Sequence, residues 1–274
     1  MRKFDIPYNF QDDYFEEFEK TIKQYPDIKD SINSIYIPCF IGDCQNSREA
    51  ILGDNLPKTW EEYLKHIQKI QSYNIPIYLL LQKLENNMEI IDKYYNLGIR
   101  IFCINNDELS KAIKEKYDNV YIILSITRNS TIEEIMNFDI YTYDKICLPF
   151  EFNRKLDLVE QLSDKFEYSI LCNSNCLWNC KERQNHWFHR GKENLLDMQY
   201  KECRRENITS QQRIYISPVD LSYFDCKINS YKLLDRVNPS LEIFSSLISY
   251  AYPLSEINNY PREYYIINEE NGNS

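Results

Sequence analysis

Short apolar runs of four to seven residues alternate along this chain with longer segments in which apolar positions recur every three or four residues. Residues 75–81 are almost continuously apolar. Residues 85–97 then show helical spacing and end at Gly98, a usual helix stop. The same couple recurs as strand 99–104 with helix 107–117, strand 120–126 with helix 131–138, and strand 145–150 with helix 153–165. Upstream, Phe10, Tyr14, Phe15, Phe18 and Ile22 predict an amphipathic helix over 12–24. Residues 34–40 predict the first strand, and 59–72 a helix that Thr59 caps ahead of Glu62. Downstream, 168–171, 213–217 and 230–234 predict three more strands, and 240–251 a closing helix.

That makes eight strands, most followed by a helix. Short strands with no polar alternation are what a parallel sheet covered on both faces requires. Eight such units at this length predict a (β/α)₈ TIM-like barrel, with an open doubly wound sheet as the alternative that periodicity does not separate from it. No linker rich in Gly, Pro or Ser divides residues 1–274, so a single domain is expected, with a polar tail frayed over 268–274. Barrel sites lie at the C-terminal ends of the strands. That rule places Cys39, Glu151, Cys172, residues 217–220 and residues 232–236 on one rim.

Composition narrows the function classes. A formal net charge of −10 gives no overall attraction to nucleic-acid backbones or anionic membranes. The first residues, Met-Arg-Lys-Phe-Asp-Ile-Pro, lack the apolar core of a signal peptide, and no apolar run approaches a membrane span. The expected compartment is the cytoplasm, with no membrane partner. The nine cysteines are then expected to be reduced, and clustered ones to bind metal or do chemistry. Cys103 and Cys147, inside apolar runs, are expected to be small core residues.

The chemistry concentrates in Cys172-Asn-Ser-Asn-Cys176-Leu-Trp-Asn-Cys180-Lys-Glu-Arg183-Gln-Asn-His186. A helical turn after the strand would put the three sulfurs, four residues apart, on one face. Such a row of soft ligands suits a metal or an iron–sulfur cluster, with zinc the alternative to iron. Cys203 follows after a basic interval, and Cys39 and Cys44 are further thiols near the rim. Arg183, His186, Lys232 and Arg236 are the candidate substrate-binding residues. They would hold an anionic group, or Lys232 and Arg236 would instead pair with Glu151 or Asp220. No Gly-rich phosphate loop, His-Glu-x-x-His pair or Gly-x-Ser-x-Gly elbow is present, so hydrolysis by those routes has no support.

Several of these segments resemble one family. Residues 173–186 resemble the Asn-x-x-Cys-Leu-x-x-Cys-Pro-x-Arg-x-x-His pattern of the collagenase-like (U-32) peptidase family, with Lys181 where proline is usual. Residues 216–221 (Ile-Ser-Pro-Val-Asp-Leu) resemble its Ser-Pro-x-Asp-Leu segment. Residues 231–236 (Tyr-Lys-Leu-Leu-Asp-Arg) resemble its Leu-Lys-Ile-x-Gly-Arg element, with Asp235 in place of glycine. Residues 146–151 look like its Leu-x-Arg-Glu strand end. The resemblance implies a TIM-like barrel carrying a 4Fe–4S cluster, and relatives that hydroxylate nucleic-acid bases or quinone precursors rather than cleave peptides. It implies Cys176, Cys180 and Cys203 as ligands. Ser222 stands where relatives often carry a cysteine, and Cys226, four residues on, takes that place ahead of Cys172. A small molecule, nucleic-acid base or peptide is the substrate it implies, with a partner subunit possible. The alternative is a zinc- or cluster-stabilised binding protein with no chemistry of its own.

Overall fold

The computed structural model describes residues 1–40, 55–81, 88–174, 176, 180, 214–234 and 238–253. Eight strands form a closed, all-parallel barrel in sequential order. They are β1 (Phe4–Pro7), β2 (Ile32–Pro38), β3 (Ile77–Leu81), β4 (Ile101–Ile104), β5 (Tyr121–Leu124), β6 (Lys145–Cys147), β7 (Glu167–Leu171) and β8 (Ser230–Lys232). Helices α1 (Tyr14–Gln24), α2 (Ile28–Ser31), α3 (Trp60–Ser72), α4 (Met88–Asn96), α5 (Asp107–Lys116), α6 (Ile132–Asn137), α7 (Leu156–Glu160) and α8 (Ser240–Ala251) follow the strands around it. The expected TIM-like barrel is therefore present. Among the described residues no helix is long and apolar enough to cross a membrane.

Local chemistry explains the element ends. Thr59 and Glu62 form the expected reciprocal cap on α3, with Glu62 N–H to Thr59 Oγ1 at 3.1 Å and Thr59 N–H to Glu62 Oε2 at 3.3 Å. Thr131 and Glu134 repeat the device on α6. Gly98 ends the turn after α4 at φ +84°, where a side chain would be strained.

One observed strand was not expected, and one expected strand is not found. β1 falls in the four residues Phe-Asp-Ile-Pro, too short to show a period and interrupted by a charge. Residues 214–217 are not a barrel strand, although Ile214 and Ile216 alternate and are buried. They run back past the exit of β7, with Ile214 N–H donating to the Cys176 carbonyl (3.0 Å) and Ile216 N–H to that of Cys172 (2.8 Å). A 3₁₀ segment, Pro218–Tyr223, follows. The helix expected over 153–165 shortens to α7, because Asn153 is used as a strut. Its Nδ2 donates to the carbonyls of Leu171 and Ile214, both at 2.7 Å.

Strand alternation sorts the side chains into two cores. Phe4, Ile6, Ile35, Ile37, Leu79, Phe102, Ile122, Ile146, Ile170 and Tyr231 face outward against the helices in one continuous apolar cluster. Each such side chain contributes roughly 1.5–3 kcal/mol when fully buried. Tyr36, Tyr78, Leu80, Cys103, Ile123, Cys147 and Leu171 fill the inside of the barrel. By the same alternation Asp5, Ser34, Lys145, Ser169, Ser230 and Lys232 also point inward, and all six are buried.

The seam between β8 and β1 closes on Asp5. Its Oδ1 accepts from Ser34 Oγ and Asn33 Nδ2, both at 2.6 Å, and its Oδ2 from Ser230 Oγ at 2.8 Å. Leu233 N–H donates to the Asp5 carbonyl and Tyr231 N–H to that of Lys3. Just outside, Arg2 grips Asp225 with Nε and Nη2, at 2.9 and 2.8 Å. On the other side of β1, Tyr8 Oη and His66 Nδ1 lie 2.7 Å apart, which ties α3 to the strand's exit.

Two outcomes test this account. Asp5→Ala removes the acceptor shared by three side chains, leaving their donors unpaired at the closure and Lys145 with Glu167 alone for counter-charge. Urea unfolding should register a loss of about 3–5 kcal/mol, and a loss within error of zero would remove Asp5 from the closure. Burial lowers the pKa of His66 below its ordinary 6.5, against the opposing pull of Asp12 and Glu62. As pH drops through about 6.5 the unfolded chain therefore takes a proton that the folded one refuses, and stability declines. His66→Gln should flatten that part of a Tm-against-pH curve.

Candidate functional site: the C-terminal mouth of the barrel

β7 delivers the cysteine-bearing segment to the C-terminal rim. Leu171 is its last residue, and Asn173 clamps the next turn to the end of β8. Leu234 N–H donates to Asn173 Oδ1 at 2.5 Å, and Asn173 Nδ2 to the Leu234 carbonyl at 3.4 Å. Cys176 follows, half-buried, with its N–H on Ser174 Oγ (3.3 Å) and its side chain against the inner cluster beside Leu234. Cys180 is a second half-buried thiol on the same segment, outside any disulfide. Cys172 lies elsewhere. It is fully buried in the outer core, its Sγ–H directed at the Lys232 carbonyl (3.5 Å), and burial pushes its pKa up. Cys172 and Cys176 thus face opposite walls. The carbonyls of Cys172 and Cys176 accept from the returning strand-like segment, so these two sulfurs do not share the one face expected of a helical turn.

Cys226 is also misplaced for ligation at this rim. It sits exposed in the turn that enters β8, at the opposite end of the barrel. That turn borders a cleft of about 510 Å³ lined by the entrances to β5, β6 and β7, including Tyr121, Asp144, Glu167 and Asn229. The length of β8 separates it from Cys176, which rules it out as the fourth ligand. Cys39, at the exit of β2, is buried and disulfide-bonded, contrary to the expectation of reduced thiols throughout. Its partner lies outside the described residues, as do Cys44, Arg183, His186, Cys203 and Arg236. Among the described residues no three His, Cys, Asp or Glu side chains converge to hold a metal ion.

Below the rim the barrel interior carries unexpected charge. Lys145 Nζ donates to Ser230 Oγ at 3.1 Å, and Ser230 in turn donates to Asp5. Glu167 lies 3.7 Å from Lys145. Lys232, one pleat nearer the mouth, is only 6% exposed. Its Nζ is 3.2 Å from Tyr78 Oη and 4.5 Å from the centroids of both the Tyr36 and Tyr78 rings. Among the described residues it forms no ion pair, with Glu151, Asp220 or any other carboxylate. Burial keeps Tyr78 protonated well beyond its usual range and raises the Cys147 thiol, which Lys232 partly offsets. Tyr36 Oη donates to the Leu233 carbonyl at 2.5 Å, which fixes its ring as one wall of the Lys232 site. Cys103 and Cys147 are indeed core residues, but of the barrel's interior and within this polar group.

Sequence reasoning placed Lys232 at the mouth and missed Asp5, Tyr36, Tyr78 and Lys145 around it. For the two charged residues the signal was a single charge inside a short, otherwise apolar run, as in Phe-Asp-Ile-Pro at β1 and Lys-Ile-Cys at β6. Such a residue is tolerated only when it points into a lined interior.

No family model matches the chain, and no curated protein does. Among solved structures, the U32 peptidase Mk0906 aligns over 86% of this chain and 93% of its own, at TM-score 0.55 and 12% identity. In fold, the chain resembles a U32 peptidase. A Plasmodium falciparum HPPK-DHPS structure with SDX-DHP aligns over 94% of this chain but only 48% of that one, at TM-score 0.43 and 11% identity. The chain spans about half of that longer protein, and the likeness is too loose to argue from. The U32 likeness agrees with the motif resemblance in fold, at an identity that carries no activity across.

The differing surroundings of the thiols predict their reactivity. In metal-free native protein, iodoacetamide at pH 8 should label Cys226 first and Cys176 and Cys180 next. Cys172 should be labelled only on unfolding, because burial both hides its sulfur and suppresses the thiolate. Peptide mapping by mass spectrometry gives the order, and equal rates at Cys172 and Cys226 would contradict the placement.

Proposed function

We propose that this chain is an iron–sulfur enzyme whose chemistry takes place at the C-terminal mouth of the barrel. It would modify a small molecule, nucleic-acid base or peptide by a redox or hydroxylation-type reaction. The observation that carries this reading is the pair Cys176 and Cys180. Both are half-buried thiols outside any disulfide on the segment leaving β7, and Cys176 packs on the lining of the barrel's interior. Thiols so placed suit a soft metal centre. Cys203 is the third proposed ligand, and Cys226 is withdrawn. A 4Fe–4S cluster bound there would supply one-electron chemistry next to the substrate.

The chain's own residues have definable tasks in this reading. Asn153 and Asn173 hold the thiol-bearing segment in register with β7 and β8 through four side-chain hydrogen bonds to backbone. Leu171, Phe150, Ile126 and Ile214 line the mouth with apolar surface and keep water from it. Lys232 supplies a fixed positive charge below them. Second-sphere groups of this kind tune a centre's affinity and potential as much as the ligands do.

Anaerobic purification followed by iron, sulfide and zinc analysis tests the proposal. Brown protein with stoichiometric iron and sulfide is expected. Cys176→Ala and Cys180→Ala should lose the iron, and Cys226→Ala should retain it. Colourless protein with stoichiometric zinc would replace this reading with a zinc-stabilised binding protein. Iron retained in both rim variants would refute the ligand assignment.

A further inference from the structure

We propose that the barrel mouth binds a small monocarboxylate with an apolar body, its carboxylate held by Lys232 Nζ and Tyr78 Oη. This rests on the reading of the mouth as the functional site and adds the chemical class of its ligand. The argument begins with a charge count inside the barrel. Among the described residues two ammonium groups, Lys145 and Lys232, share this interior with two carboxylates, Asp5 within it and Glu167 at its N-terminal edge, and only Lys145 has a carboxylate at ion-pair distance. Asp5 has three donors, and Lys145 has Ser230 and Glu167. That leaves the charge on Lys232, with one neutral oxygen and two aromatic faces for company. An ammonium carries three donors, and a buried one is costly unless an anion meets it. Ser169 Oγ deeper in the barrel also has no hydrogen-bond partner, and the remaining donors of Lys232 lie at the end of the barrel where ligands enter.

The surroundings select the kind of anion. Leu80, Ile123, Leu171 and Phe150 line the same interior, so whatever is attached to the anionic group meets apolar walls. A single ammonium with no carboxylate at ion-pair distance among the described residues matches a carboxylate better than a dianionic phosphate. Phosphate in such barrels is cradled by backbone N–H groups of the turns after the seventh and eighth strands and by a helix N-terminus. Here no glycine follows β8 before Gly272 to let a backbone approach so closely, and Gly191 is the single glycine between β7 and β8. At the start of α8, the Ser240 N–H is already taken by Gln11 Oε1 at 3.3 Å, and Glu242 occupies the first turn. A polyanion is opposed further by the chain's net charge of −10.

The test is calorimetric titration of the full chain, as isolated anaerobically, with benzoate, phenyl phosphate and benzyl alcohol. Benzoate should bind at one site and more tightly than either comparator. Lys232→Met, which keeps the length of the side chain without its charge, should weaken benzoate by about 10- to 100-fold. Tyr78→Phe, which keeps the ring, should weaken it by about 5-fold. Absent benzoate binding, benzyl alcohol or phenyl phosphate binding as tightly, or unchanged affinity in Tyr78→Phe and Lys232→Met would each overturn the proposal. If Lys232→Met does not fold, Tyr78→Phe and the alcohol comparator decide it. Iron measured on the same samples separates the two readings. Benzoate binding to iron-free wild type would sink only the cluster, and iron-replete protein indifferent to benzoate would sink only the carboxylate site.

Discussion

A closed parallel barrel leaves its last strand no freedom. β8 must meet β1 in register, and here the meeting is fixed by a carboxylate with three donors. Asp5 gathers Ser34 and Asn33 from β2 and Ser230 from β8, so one residue joins three strands around the closure. A buried carboxylate is tolerable only when its lone pairs are filled. That requirement makes the register specific, because a slip of one residue would turn Ser34 and Ser230 to the outer core and bring isoleucine or tyrosine in. Lys145 enters the same network through Ser230. The short strands β1, β6 and β8, of three or four residues each, are held by this polar interior as well as by backbone pairing.

The same closure decides which cysteines can act together. The C-terminal ends of the strands are the only place where residues from β7 and β8 and the segment returning at Ile214 meet. Asn153 and Asn173 weld them there by capturing backbone groups that the strand ends leave open. Cys176 and Cys180 inherit that position. Cys172, one strand step earlier, faces the helices, and Cys226 is carried to the far end by the 3₁₀ segment that precedes β8. Spacing along the chain grouped Cys172 with Cys176 and Cys180, and the family resemblance added Cys226.

The interior of this barrel departs from the aliphatic layers usual in the fold. Two lysines, an aspartate, three serines, three tyrosines and two thiols share a space that isoleucine and leucine would fill more cheaply. At the N-terminal end Asp5 and Lys145 have several polar partners, and at the C-terminal end Lys232 has one neutral oxygen and no carboxylate at ion-pair distance among the described residues. A fold that satisfies its polar groups so fully at Asp5 and leaves Lys232 short at the mouth concentrates its electrostatic demand where a ligand can answer it.

The amino-acid sequence by itself determined most of the elements. Strands near 77–81, 101–104, 121–124, 145–147 and 167–171, the helices after them and the Thr59–Glu62 cap are local in origin, so periodicity and capping chemistry reveal them. It also placed the Cys176–Cys180 segment at the rim, since a rim residue needs only to follow a strand. β1 was hidden because four residues have no period, and its evidence is the distant pair Ser34 and Ser230. Residues 214–217 imitate a strand because burial beside Cys172 and Cys176 demands the same alternation as burial in a sheet. Which wall a cysteine faces, which end of the barrel Cys226 occupies and whether Lys232 finds a counter-charge are properties of long-range pairing. Only the closed tertiary structure decided them, because partners 60 to 230 residues apart in the chain meet nowhere else.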